Sequence, residues 1–192
     1  MKMTTFYCIL FIMVFTAMGV AIAETLPPRM TPGGTKTNVD IRLQVPDVNY
    51  RRDWTLLGSY SVLADDPETG AKELHVVYAA PDAVAAYRKT GAFPDGAILV
   101  KDVFATKTEM LTTGTASYAD TLIGRFVMVK DAGDKYAGTS PLWGDGWGWA
   151  FYEGAETQKT VTTDYKADCL ACHEPARGQD LIYTQGYPVL KR

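Results

Sequence analysis

The sequence predicts a mainly β, α+β protein: an antiparallel sheet with a few short helices, the last of which carries a C-x-x-C-H motif. Three observations support this. Short β-branched or aromatic runs, bounded by Gly, Pro and Asp, recur along the middle of the chain. Only two stretches carry helix signals. Near the C-terminus, "DCLACHEPARG" (168–178) places Cys169, Cys172 and His173 in the attachment pattern of a c-type haem.

The strands are expected at "WTLLGSYSVL" (54–63), "ELHVVYA" (73–79), "AILVKDVFA" (97–105), "IGRFVMVKD" (123–131) and "WGWAFYE" (147–153). "PDAVAAYRKTG" (81–91) reads as a helix with Asp82 as N-cap and Gly91 as stop. "TTDYKADCLACH" (162–173) reads as a second helix, capped near Thr162 or Thr163. On a helix, Cys169 and Cys172 share a face, so both reach the haem vinyls from one side and His173 is carried under the iron.

The chain begins with a leader-like segment. Lys2 is followed by an apolar run, Phe6 to Val20, and then by Ala21-Ile22-Ala23. This is the pattern of a cleaved secretory signal peptide, 1–23, and the run is short for a membrane span. Residues 24–47 are rich in Pro, Gly and Thr and read as an extended or flexible lead-in, with one haem domain over 48–192. Removing Lys2 with the leader leaves 18 basic against 22 acidic side chains, a balance of −4. With no basic cluster and no aromatic–basic interleaving, nucleic acid is not a partner.

Cysteine usage sharpens the motif. Of the 3 cysteines, Cys8 leaves with the leader, so only Cys169 and Cys172 remain. An exported pair can form a disulfide, but that gives no reason for His173 to follow directly. A thioredoxin-like motif expects a βαβ setting, which is missing here.

The second axial position of the iron then has to be filled from upstream or left open. The candidates are His75, Met30, Met110 and Met128. Met30 lies in the lead-in, Met110 in an expected loop, and Met128 shares a strand face with Phe126 as core would. His75 sits between Glu73 and Val77 on one strand face. None stands out, which favours a five-coordinate haem whose distal pocket decides what the iron does. A six-coordinate electron carrier is the competing class. The common small cytochromes carry the motif near the mature N-terminus, and four-helix cytochromes need long helices, so neither organisation fits.

Lys101 shares a strand face with Leu99 and Val103, both apolar. Among them an ammonium either loses its charge and becomes nucleophilic or snorkels to water. Trp147, Trp149 and Phe151 alternate on one face and read as core or haem-wall packing, and Asp145 between two glycines reads as a turn residue. Arg125 or Arg177 is a candidate partner for haem propionates.

"YRKTGAFPDGAILVKDV" (87–103), "WGDGWGWAFYE" (143–153) and "DYKADCLACHEPARGQDLIYTQGYPVL" (164–190) together resemble the cytochrome P460 family, whose relative cytochrome c′-β shares the fold. The resemblance covers roughly residues 50–190. It implies a mainly antiparallel β fold, a homodimer and a pentacoordinate haem c in the periplasm. One branch oxidises hydroxylamine, passes electrons to a soluble cytochrome, and carries a lysine bonded to a porphyrin meso carbon. The other branch lacks that bond and binds NO or CO in an apolar pocket. The matching lysine is Lys101. An ungapped match places Phe126 where the hydroxylamine-oxidising branch has a distal carboxylate, which would make the distal face apolar. His75 falls where active members carry a basic residue and is the candidate substitute proton acceptor. The expectation is a c-type cytochrome acting on hydroxylamine or NO, with a non-enzymatic NO binder and a plain electron carrier as the other readings.

Overall fold

The computed structural model describes residues 43–191. The expected leader and most of the expected lead-in lie outside the described residues. Among the described residues, no helix is long and apolar enough to cross a membrane.

The centre is a six-stranded antiparallel sheet in the order β1-β2-β3-β4-β6-β5. Its strands are β1 (Thr55–Leu63), β2 (Ala71–Ala79), β3 (Ile98–Leu111), β4 (Gly114–Lys130), β5 (Trp143–Gly144) and β6 (Trp147–Glu153). The helices are α1 (Tyr50–Asp53), α2 (Pro81–Thr90) and α3 (Ala171–His173), accompanied by several short 3-10 segments. A mainly β fold with short helices was expected, and that is what forms.

Alternation along the strands gives the sheet two apolar faces. One face carries Val77, Ala79, Leu99, Met128, Trp147 and Trp149, and is covered by α2 and the C-terminal segment through Tyr165, Leu181, Ile182, Tyr187 and Leu190. The other carries Val100, Val127, Val129, Ala150 and Tyr152, and packs on Val45, Tyr50 and Trp143. Asp102, fully buried on this second face, accepts from Tyr50 Oη at 2.7 Å and from Arg51 Nε at 2.6 Å.

Four local expectations need correction. Met110 does not lie in a loop: β3 and β4 run on to a tight hairpin, and Met110 is 74 % exposed near its tip. Thr and Ser along this arm favour strand without marking a buried face, so no apolar alternation announced it. Asp82 is not the N-cap of α2. Ala80 holds that position, Pro81 opens the helix, and the Asp82 carboxylate accepts from Ala83 N in the first turn. Gly91 does end the helix, with φ 86. The C-terminal helix is not capped by a threonine. It begins at Tyr165 as a π-helical turn, Lys166–Leu170, and continues into α3. Thr163 donates there, through both N and Oγ1, to the carboxylate of Asp168. Arg125 points away from the C-terminal segment. It donates to Tyr50 Oη at 2.9 Å and to the Gly154 carbonyl, and stands 3.6 Å from Asp102. It is one residue out of phase with Phe126, so it lies on the opposite sheet face and is no partner for a group bound beside Phe126.

Candidate functional site

Between the first sheet face and the C-terminal segment lies a cavity of about 720 Å³. Cys169, Cys172 and His173 line one wall, while Lys101, His75, Phe126 and Met128 line the other. The structure therefore brings together the cysteines, His173, His75, Lys101, Phe126 and Met128, but neither arginine nor Met110, and Met30 lies outside the described residues.

The helical wall is built to hold an imidazole. His173 Nδ1 donates to the Leu181 carbonyl at 2.7 Å, which leaves Nε2 as the free lone pair. Trp149 meets the His173 ring edge-on at 5.0 Å and is itself held by Nε1–H donation to the Gly144 carbonyl. Tyr165 stacks parallel to Trp149, and its hydroxyl donates to Asp145. Gly144 is required here, because a Cβ would lie 2.2 Å from the Tyr165 hydroxyl. Asp145 has φ 54, as its turn between two glycines demands, and it also accepts from Arg177 at 3.0 Å. Arg177 is further committed to Glu174, so it braces the turn after His173. Burial pushes the Cys169 thiol up to about 11, so it stays protonated.

The sheet wall is ordered by register. Val77, Lys101, Phe126 and Phe151 are opposed in one row across β2, β3, β4 and β6. Ala79, Leu99, Met128 and Trp149 form the next row. Phe126 packs on Phe151 with ring centroids 4.4 Å apart. Lys101 Nζ lies 4.3 Å from the Phe126 centroid, and among the described residues it has no hydrogen bond or ion pair. Burial holds its pKa below the ordinary lysine value.

A polar corner completes this wall. His75 Nε2 stands 2.9 Å from a Glu73 carboxylate oxygen, with both residues half-buried and lining the cavity. The contact makes Nε2–H the donor and leaves Nδ1 as the basic atom. Burial lowers the His75 pKa, and the Glu73 carboxylate partly opposes that shift. Glu73 was read only as a strand neighbour of His75. The two-residue spacing that puts both on one face is the sequence signal for the pair. Tyr60 and Tyr183 had no such signal: Tyr60 Oη donates to the Tyr183 carbonyl at 2.5 Å, closing the cavity's side.

The cavity suits a haem on the chemistry of its donors. Two thiols and an imidazole with a free Nε2 share one wall, the remaining lining is mostly apolar and aromatic, and the volume falls within the ordinary range of cofactor pockets. Met128 lies within the apolar row, and Met110 is far out on the hairpin. No curated protein gives a significant match to the chain. A family model described as cytochrome P460 matches residues 48–184, which includes the whole sheet and the C-x-x-C-H segment. The chain belongs to the cytochrome P460 family and is a c-type cytochrome that binds haem covalently.

Proposed function

We propose that this protein is an exported, periplasmic cytochrome with one haem, which oxidises hydroxylamine or a closely related small nitrogen compound and passes the electrons to a soluble cytochrome. The observation that carries this reading is the Glu73–His75 pair in the cavity wall facing His173. Oxidation of hydroxylamine releases protons as well as electrons, so a positioned base is needed beside the reacting nitrogen.

Cys169 and Cys172 would hold the haem through thioethers, and His173 would bind its iron through Nε2. The haem, when bound, would supply the redox chemistry. The protein's own groups do the rest. The Leu181 carbonyl fixes the His173 ring. Phe126, Phe151 and Met128 exclude water from the opposite wall. His75 Nδ1 takes protons, while Glu73 holds the ring and stabilises its charged form. Because burial lowers its pKa, His75 is neutral and ready to accept at neutral pH.

Lys101 is proposed to be bonded through Nζ to a porphyrin meso carbon. Such a bond would replace one N–H of the amine and the C–H of the carbon, releasing two protons and two electrons in all, and an oxidant of the peroxide class would take up both and leave as water. An amine without a hydrogen bond or ion pair, held below its ordinary pKa on the cavity wall, supports this role.

The apolar Phe126–Phe151 pair supports a second reading, capture of NO without turnover. Hydroxylamine oxidation with an artificial electron acceptor separates the two. Turnover by haem-loaded protein supports the enzyme, whereas tight NO binding with no turnover supports the binder. The protein is also proposed to be a homodimer. Met110, Leu111 and Ile123 expose apolar surface on the β3–β4 arm, and sedimentation equilibrium would measure the mass.

A further inference from the structure

Asp180 and Leu181 both adopt left-handed backbone, with φ 58 and 63. Aspartate tolerates this region, but leucine rarely enters it, and Leu181 is buried. The pair carries the carbonyl that accepts from His173 Nδ1. Such a conformation persists only where its surroundings over-determine it.

The surroundings do so through four contacts. The Asp180 carboxylate meets Lys130 Nζ at 2.7 Å. Its carbonyl accepts from Trp147 Nε1 at 3.0 Å. Its N–H donates back to Arg177 O at 3.2 Å, and Leu181 N–H donates to Ala176 O. Lys130 and Trp147 are themselves opposed across β4 and β6, and the Lys130 ammonium lies 4.7 Å from the Trp147 ring centroid. Lys130 is only 7 % exposed and Trp147 is fully buried. This cluster lies at the end of the sheet, away from the polar corner, and no role proposed above uses it.

We propose that Lys130, Asp180 and Trp147 form a clamp that positions the Leu181 carbonyl against His173 and thereby sets the strength of the axial bond and the reduction potential of the haem. A firmly held carbonyl draws on the Nδ1 proton, makes the imidazole a stronger donor and favours the ferric state. These are positioning residues, and they act in the same way whether the cytochrome turns over hydroxylamine or only binds NO.

The test uses the haem-loaded protein with Lys130→Met, Asp180→Ala and Asp180→Asn. The readouts are the iron–histidine stretching frequency of the ferrous form by resonance Raman and the midpoint potential. Lys130→Met and Asp180→Ala lower the frequency and raise the potential. Asp180→Asn tolerates the left-handed backbone and still accepts from Lys130, so it stays nearer the parent. If Asp180→Ala fails to load haem, Lys130→Met with Lys130→Gln gives the same reading. A parent-like frequency and potential in the loaded lysine variants, even with a lowered melting temperature, would overturn the proposal, because a merely structural ion pair behaves in that way.

Discussion

Lys101 and Phe126 stand directly opposite each other across the β3–β4 pair, with the lysine nitrogen 4.3 Å from the ring centroid. The amine lines the cavity against this ring, and Glu73 in the same wall adds a longer-range attraction for its charged form. Lys101→Met should therefore load haem through Cys169 and Cys172 as the parent does, but lose any red shift of the ferrous Soret band. Lys101→Arg should behave like Lys101→Met, since a guanidinium stays protonated and does not attack carbon. Visible spectra of the reduced proteins check both.

The His75–Glu73 pair makes a signed pH prediction. Burial depresses the folded pKa of His75 below its ordinary 6.5. Its neutral, proton-accepting form then survives to more acid pH, and the acid limb of hydroxylamine turnover should lie below 6.5. Glu73→Gln removes an interaction that favours the charged ring, so it should shift that limb further toward acid and slow the reaction at neutral pH. His75→Leu should cost about 10²-fold in kcat, the lower end of what a positioned base contributes. The same shift affects stability. Below 6.5 the unfolded chain binds a proton at His75 that the folded protein resists. This residue's contribution to stability is therefore lost as pH falls, and His75→Leu should flatten that part of the stability profile.

On the opposite face, Asp102 is fully buried between Tyr50, Arg51 and Arg125, directly after Lys101 in sequence. Asp102→Ala should cost about 3–5 kcal/mol by denaturant titration, because it leaves the buried Arg125 uncompensated and the buried Tyr50 hydroxyl without its acceptor. Asp102→Asn keeps an acceptor for Tyr50 and should cost less.

Phe126→Ala removes the packing on Phe151 and the contact with Lys101. Since Phe126 is only half-buried, the loss should be about 2 kcal/mol, below the usual cost for a core phenylalanine. Flash photolysis of the carbon monoxide complex should show faster rebinding, as the wall opens.

Much of the site was legible because strand alternation is strict. Leu99, Lys101 and Val103 do share the cavity face, and the C-x-x-C-H segment announces its own chemistry. The same alternation would have removed Arg125 from the site, since it is one residue out of phase with Phe126. The Glu73–His75 contact was half visible: spacing placed both residues on one face, but only the rotamers bring Nε2 to the carboxylate. The Leu181 carbonyl has no side-chain signature, and its orientation depends on a left-handed leucine that local propensity argues against. The long hairpin arm was hidden because its Thr and Ser residues bury no continuous face, so pairing with the opposite strand decides its structure.

The most direct test of the open-cavity account is the visible spectrum of purified, haem-loaded protein, ferric and then dithionite-reduced. The account predicts a high-spin ferrous haem with a free coordination position and a red-shifted Soret band from the Lys101 bond. Sharp low-spin α and β bands would show that a side chain such as His75 or Met128 already fills the sixth position, and would contradict it.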